Sequence, residues 1–158
     1  MDPQTKLDIG IKNWVSELDK TKKCPYAKPV FDKNKIKTVL LNCSTSYDYW
    51  LAVYKEADLF DDTYDVVMVT METNNEIITN MQMSGGIDSF NTSCYNRNMD
   101  IWGLNLYDKF YTMVLIQRLS KLDDASKALE KKDYYTDQNF YTYKKFILDR
   151  RELRKNLK

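Results

Sequence analysis

Apolar side chains recur at Leu7, Ile11, Trp14, Val15 and Leu18, three or four positions apart, and predict an amphipathic helix over residues 5–20. The lysine-rich segment KKCPYAKPVFDKNK then breaks the period, and Pro25 and Pro29 predict an exposed, non-helical connection. Ile36–Cys43 is rich in β-branched residues and predicts a buried strand. Ser44 or Thr45 can cap a following helix over 46–59, with Trp50, Leu51, Tyr54 and Ala57 on its apolar side. Asp65–Met71, DVVMVTM, predicts a second buried strand.

The middle of the chain is ambiguous. Glu76–Met83 and Ile87–Tyr95 flank Ser84-Gly85-Gly86, and the alternation in the second run favours a hairpin turning on the glycines. The competing pattern is a capping box, Thr73-x-x-Glu76, which would make 74–84 helical. Beyond it, Leu115, Leu119 and Leu122 predict a helix over Tyr107–Leu122, with Asp108 near its start. Phe140, Tyr143, Phe146, Ile147, Leu153 and Leu157 predict another over roughly 140–157. These elements make an α+β single domain, with a mixed, largely antiparallel sheet packed against amphipathic helices.

Composition narrows the chemistry. Among 158 residues there is no histidine, which removes the commonest general base and the commonest transition-metal ligand. Cys24, Cys43 and Cys94 are odd in number and widely spaced, so neither a disulfide framework nor a zinc site is expected. Asp58, Asp61, Asp62 and Asp65 crowd together, but without a calcium-loop spacing they read as a solvated turn. No cofactor is implied. The start, MDPQTKLDIG, has no signal-peptide pattern, and no apolar run is long enough for a membrane helix. A cytoplasmic protein is expected, of the host cell if the A/T-rich codon bias suggested by the composition is viral.

The net charge of +1 hides an uneven distribution. Residues 1–40 carry nine basic and five acidic side chains, residues 41–100 two and ten, and the last sixteen seven and two. A basic C-terminal helix could therefore meet a protein partner through Arg150, Arg151 and Arg154, or simply be a solvated face. Cys24 beside Lys22 and Lys23 reads either as an activated thiol or as a structural cysteine at a loop edge. Ser84-Gly85-Gly86-Ile87-Asp88-Ser89 matches a pyrophosphate-loop signature, SGGxDS, yet the residues after it are poor helix formers and would deprive such a loop of its helix N-terminus.

Two resemblances follow from short motifs. Trp14 with Cys24-Pro25-Tyr26-Ala27-Lys28 is similar to an element of an uncharacterised bacterial family. More extensively, Tyr95-Asn96-Arg97-Asn98-Met99-Asp100-Ile101-Trp102-Gly103 resembles the Y-Q-R-S-x-D-x-x-L-G segment of thymidylate synthases and phage deoxycytidylate hydroxymethylases. Upstream, Gln82 stands where that family has F-Q-F. Downstream, Asn139-Phe140-Tyr141-Thr142-Tyr143-Lys144 is similar to its H-I-Y-S-N-H element, so the likeness spans about residues 46–146. It implies a thymidylate-synthase-like core with a hairpin before Arg97, a helix after the Asp100 segment, and a homodimer.

By that resemblance Arg97 would bind a nucleotide phosphate, Asp100 would support proton transfer and Tyr141 would contact the deoxyribose hydroxyl. Asp108 would read the base edge, favouring a cytosine-like ring. Guanidinium and carboxylate suit those tasks chemically. The departures are as informative. Ile77 occupies the nucleophilic cysteine's position, Tyr64 and Asp65 that of the paired phosphate-binding arginines, and Asn139 and Lys144 replace both histidines. Without a nucleophile the ring is not activated. The expectation is therefore a catalytically degenerate relative that binds a pyrimidine deoxynucleotide or regulates nucleotide metabolism. The alternative is a non-enzymatic interaction or assembly module, of viral origin by composition, using the basic C-terminal helix.

Overall fold

The computed structural model describes residues 1–73, 80–107 and 109–158, with the backbone alone for residues 80 and 81. Helix α1 (Pro3–Lys20) starts at Asp2, whose carboxylate accepts from the Thr5 amide at 3.0 Å, with Pro3 in the first helical position where no amide donor is needed. A short helix α2 (Ala27–Asp32) interrupts the expected loop. Pro29 is tolerated there because it lies in the first turn, where an N–H has no intrahelical acceptor to lose. Strand β1 (Ile36–Leu41) leads through α3 (Ser46–Leu59), capped by Thr45, to β2 (Val66–Glu72). The two strands pair in parallel with α3 as the crossover.

The middle of the chain departs from the hairpin expected at Ser84-Gly85-Gly86. Residues Asn80–Asn96 form helix α4. Met83, Ile87, Phe90 and Cys94 are all buried and fall at 3.6-residue spacing, so one apolar face against the sheet outweighs the weak helix propensity of Asn91, Thr92 and Ser93. The Thr73-to-Glu76 capping box extends into residues outside those described. The helix expected over Tyr107–Leu122 is also replaced. Strand β3 (Trp102–Tyr107) turns back into β4 (Tyr111–Gln117), and helix α5 (Leu119–Glu130) begins only afterwards. Near the C-terminus, α6 (Phe140–Tyr143), a π-helical turn (Lys144–Leu148) and α7 (Asp149–Lys155) run together as one helical segment over the expected range.

The fold is α+β, with a four-stranded mixed sheet in the order β1-β2-β4-β3. Only β1 and β2 are parallel; β2 pairs antiparallel with β4, and β4 with β3. The central strands are covered on both faces. Val67, Val69, Val114 and Ile116 face α3 and α4, while Met68, Met113 and Leu115 face Leu7, Ile11 and Val15 of α1. That double burial explains why VVMVTM and TMVLI read as unbroken apolar runs. On the edge strand, Asn91 of α4 stands in for a missing neighbour: its amide accepts from the Gly103 N–H at 2.7 Å and donates to the Gly103 carbonyl at 3.0 Å.

Among the described residues, no helix is long and apolar enough to cross a membrane.

Candidate functional site

The residues that the motif resemblance singles out do not converge. Arg97 lies just past α4 and donates to the Asp58 carboxylate at the end of α3, at 2.9 Å, with both side chains half exposed. It borders an open polar concavity with Ser89, Thr92, Ser93 and Asn96, to which neither Asp100 nor Tyr141 contributes. Asp100 accepts from the Ser120 amide at 2.7 Å and from the Ser120 hydroxyl. It thus caps α5, whose own N-cap residue, Arg118, provides no side-chain acceptor. Tyr141 on α6 is 73% exposed. Asp108 and Ile77 lie outside the described residues. Gln82 belongs to α4 rather than to a strand, and Arg97 is preceded by a helix and followed by a hairpin, the reverse of the expected order.

The aspartate cluster resolves into ion pairs and a turn. Asp58 meets Arg97, Asp62 meets Arg118 at 3.5 Å, and Asp65 meets Lys121 at 2.7 Å. Asp61 accepts from the Thr63 amide at 2.8 Å, and these hydrogen bonds from Thr63 hold its carboxyl below the usual range. No group of three or more Cys, Asp or Glu side chains among the described residues is arranged to hold a metal ion.

A better-built site lies at one end of the sheet. The antiparallel register sets Val66, at the start of β2, opposite Gln117, at the end of β4. A pocket of about 520 Å³ opens beside this pair, closed by the Cys24–Tyr26 turn, α2, α5, Tyr135 and Arg150. Val30, Leu122, Ala125 and Leu129 give it apolar walls, and Tyr26 and Tyr135 line it as well. Asp65, Arg118 and Lys121 also line it; the Lys121–Asp65 and Arg118–Asp62 pairs are part-exposed, and Arg118 stacks over Phe60 at 4.7 Å. The Tyr134 hydroxyl donates to the Lys23 carbonyl, which ties the segment after α5 to the turn carrying Cys24.

Charge is distributed unevenly around this pocket. Asp123 of α5 is 2% exposed and accepts from Arg151 at 3.2 Å and Arg154 at 2.9 Å, with Lys127 at 3.0 Å. Burial alone would push its carboxyl up, but hydrogen bonds from Arg154, Lys127 and Arg151 hold it below the ordinary aspartate value. Glu130 takes a second ion pair from Arg151 at 2.9 Å and a hydrogen bond from the Tyr143 hydroxyl. Arg150, next to Arg151 on the same helical segment, is 8% exposed and makes no ion pair or hydrogen bond with any described residue. Its buried Nε has no acceptor. Burial pushes the guanidinium down, and Tyr135 and Asp123 counter this only at longer range. An arginine nevertheless stays protonated.

The three arginines expected to present a basic interaction face are thus turned inward, two onto Asp123 and one into the pocket. The clue to Arg150 is in the sequence: it falls three residues after Ile147 and three before Leu153, on the apolar stripe of its helix. The flanking π-helical turn is a geometry frequent at functional sites. Of the cysteines, Cys24 borders the pocket half-buried, Cys43 is half-buried elsewhere, and Cys94 is buried with its thiol pushed up to about 11 by desolvation. No family model, curated protein or solved structure matches the chain. The thymidylate synthase resemblance therefore rests on its short motifs alone.

Proposed function

We propose that this chain is a small-molecule-binding protein whose ligand enters the pocket between α5, the Cys24–Tyr26 turn and the C-terminal helix. The observation that carries this reading is the pocket itself: a concavity of about 520 Å³ with apolar and aromatic walls and a few converging charged groups. Those are the attributes of ordinary ligand sites. A pyrimidine deoxynucleotide is the candidate that the motif resemblance supplies, with a regulatory rather than catalytic role because Ile77 stands in place of the nucleophile. A nucleotide's ring suits walls of this kind, and its phosphate suits an arginine. Arg97 is a weaker candidate for that phosphate. Its exposed pair with Asp58 is readily exchanged, but no apolar wall adjoins it for a base.

Calorimetric titration of the full chain with deoxycytidylate and deoxyuridylate tests the proposal. Binding with a Kd below about 1 mM is expected, abolished by Ala125→Phe, which fills the pocket, and retained by Arg97→Ala. Loss in Arg97→Ala alone would move the site to the end of α4. Absence of heat with either nucleotide at millimolar concentration would remove nucleotides from consideration.

A further inference from the structure

We propose that the ligand of this pocket is an organic anion, with its carboxylate or phosphate seated against the buried guanidinium of Arg150 and its apolar or aromatic body against Leu122 and Leu129. The inference rests on the pocket being a ligand site and assigns the ligand's chemical class.

Four of the five arginines, Arg97, Arg118, Arg151 and Arg154, have a carboxylate within ion-pair distance. The fifth, Arg150, is the most buried and has none among the described residues. A buried charge without a partner is strongly unfavourable, so such an arginine needs a counter-charge. The protein's own carboxylates nearby are already committed. Asp123 is shared by Arg151, Arg154 and Lys127, Asp124 is paired to Arg154, Asp65 to Lys121, and Glu130 to Arg151. Among the described residues no carboxylate is left for Arg150, and an anion entering the pocket would supply one.

The shape and lining decide what kind of anion fits. A bare inorganic ion would satisfy Arg150 yet leave the apolar walls wet. A neutral apolar ligand would fill the walls and leave the cation uncompensated. A molecule with an anionic head and an apolar body satisfies both. A guanidinium offers the parallel donors that carboxylate and phosphate accept best. Arg118 and Lys121 also line the pocket, and their part-exposed pairs with Asp62 and Asp65 are weak enough for an incoming anion to exchange.

Cys24 is a built-in reporter because it borders the pocket, and half-buried Cys43 serves as an internal reference. The experiment measures alkylation of each cysteine by iodoacetamide in the full chain, by peptide mass spectrometry. Phenyl phosphate and benzoate are compared with their neutral counterparts, benzyl alcohol and benzamide. The anions should slow alkylation of Cys24 about tenfold at roughly ten times their Kd, leave Cys43 unchanged, and outperform the neutral probes. Arg150→Lys should keep part of the protection. Arg150→Met should lose it while melting at the same or a higher temperature than the wild type, the signature of a charge retained for binding at the expense of stability.

Equal protection by benzamide and benzoate would overturn the assignment of an anion while leaving the pocket as a ligand site. So would protection by the anions that persists in Arg150→Met. If no probe slows Cys24 and no probe shifts the melting temperature, the pocket is not a ligand site and both readings fall. Should Arg150→Met fail to fold, the arginine is structural and the assignment is overturned; the wild-type comparison of charged and neutral probes then tests the pocket alone.

Discussion

Gly85 and Gly86 sit side by side in α4 with opposite surroundings. A Cβ on Gly86 would lie 2.1 Å from the Trp50 ring, whereas one on Gly85 would meet nothing within 4 Å. Gly86 is therefore a packing residue that lets α4 approach α3, and Gly85 is a helix-weakening residue with no contact to justify it. Gly85→Ala should stabilise the protein by about 1 kcal/mol through helix propensity. Gly86→Ala should destabilise it by about 1–3 kcal/mol, because the ring must move to admit a methyl. Urea denaturation of the two variants measures both, and equal effects would refute the packing role. A second residue-scale prediction concerns Asp123. Because hydrogen-bonded cations lower its folded-state pKa, its contribution is complete above the ordinary aspartate pKa and is lost as the pH falls through the folded-state value. Asp123→Asn should cost about 3 kcal/mol near neutral pH, and the gap from wild type should close as the pH falls below the ordinary aspartate range. A gap independent of pH would mean that the carboxylate's charge is not what holds the C-terminal helix.

The elements were unequally legible. The expectations for residues 5–20, 36–43, 46–59 and 65–71 hold, because the helices keep one period over their length and the strands are short, β-branched runs bounded by turn residues. Residues 107–122 were not. Leu115 and Leu119 are four apart, a spacing shared by a helix face and one face of a strand, and here the first belongs to β4 and the second to α5. A strand buried on both faces carries an unbroken apolar run, which periodicity alone does not distinguish from a buried helix. The α4 stretch failed in the opposite way. Asn91, Thr92 and Ser93 favour non-helical backbone locally, and only packing of Phe90 and Cys94 against the sheet overrides them. Asp100 belongs to this scale too, since it closes one element from another. Asp100→Ala should cost about 0.5–2 kcal/mol in thermal or urea unfolding through the lost cap on α5. It should leave pocket binding unchanged; a large loss of binding would return Asp100 to the site.

For the whole molecule, charge blocks that looked like interaction surfaces in the sequence are largely spent within the fold. The acidic middle meets cations across elements, Lys37 on Glu56, Arg118 on Asp62 and Lys121 on Asp65. Much of the basic tail meets α5. Long-range pairing of this kind leaves no periodic trace, because it joins residues up to 56 positions apart. The pocket has the same origin: its walls come from the Cys24–Tyr26 turn, β2, β4, α5 and the C-terminal helix, and no single stretch contains it.

By itself the sequence determined the α+β class, the first half of the element order apart from α2, the C-terminal helical segment, and the absence of histidine chemistry. These follow from local periodicity, capping and composition, which need no knowledge of partners. Only the tertiary structure decided that Ser84-Gly85-Gly86 lies inside a helix, that Arg97 pairs with Asp58 and Asp100 caps α5, and that Arg150 is buried with no ion pair among the described residues. The physical reason is common to all three. The energy of a side chain here depends on what the folded chain brings beside it, and folding set an arginine of the basic tail into a pocket wall with its Nε buried and no acceptor among the described residues.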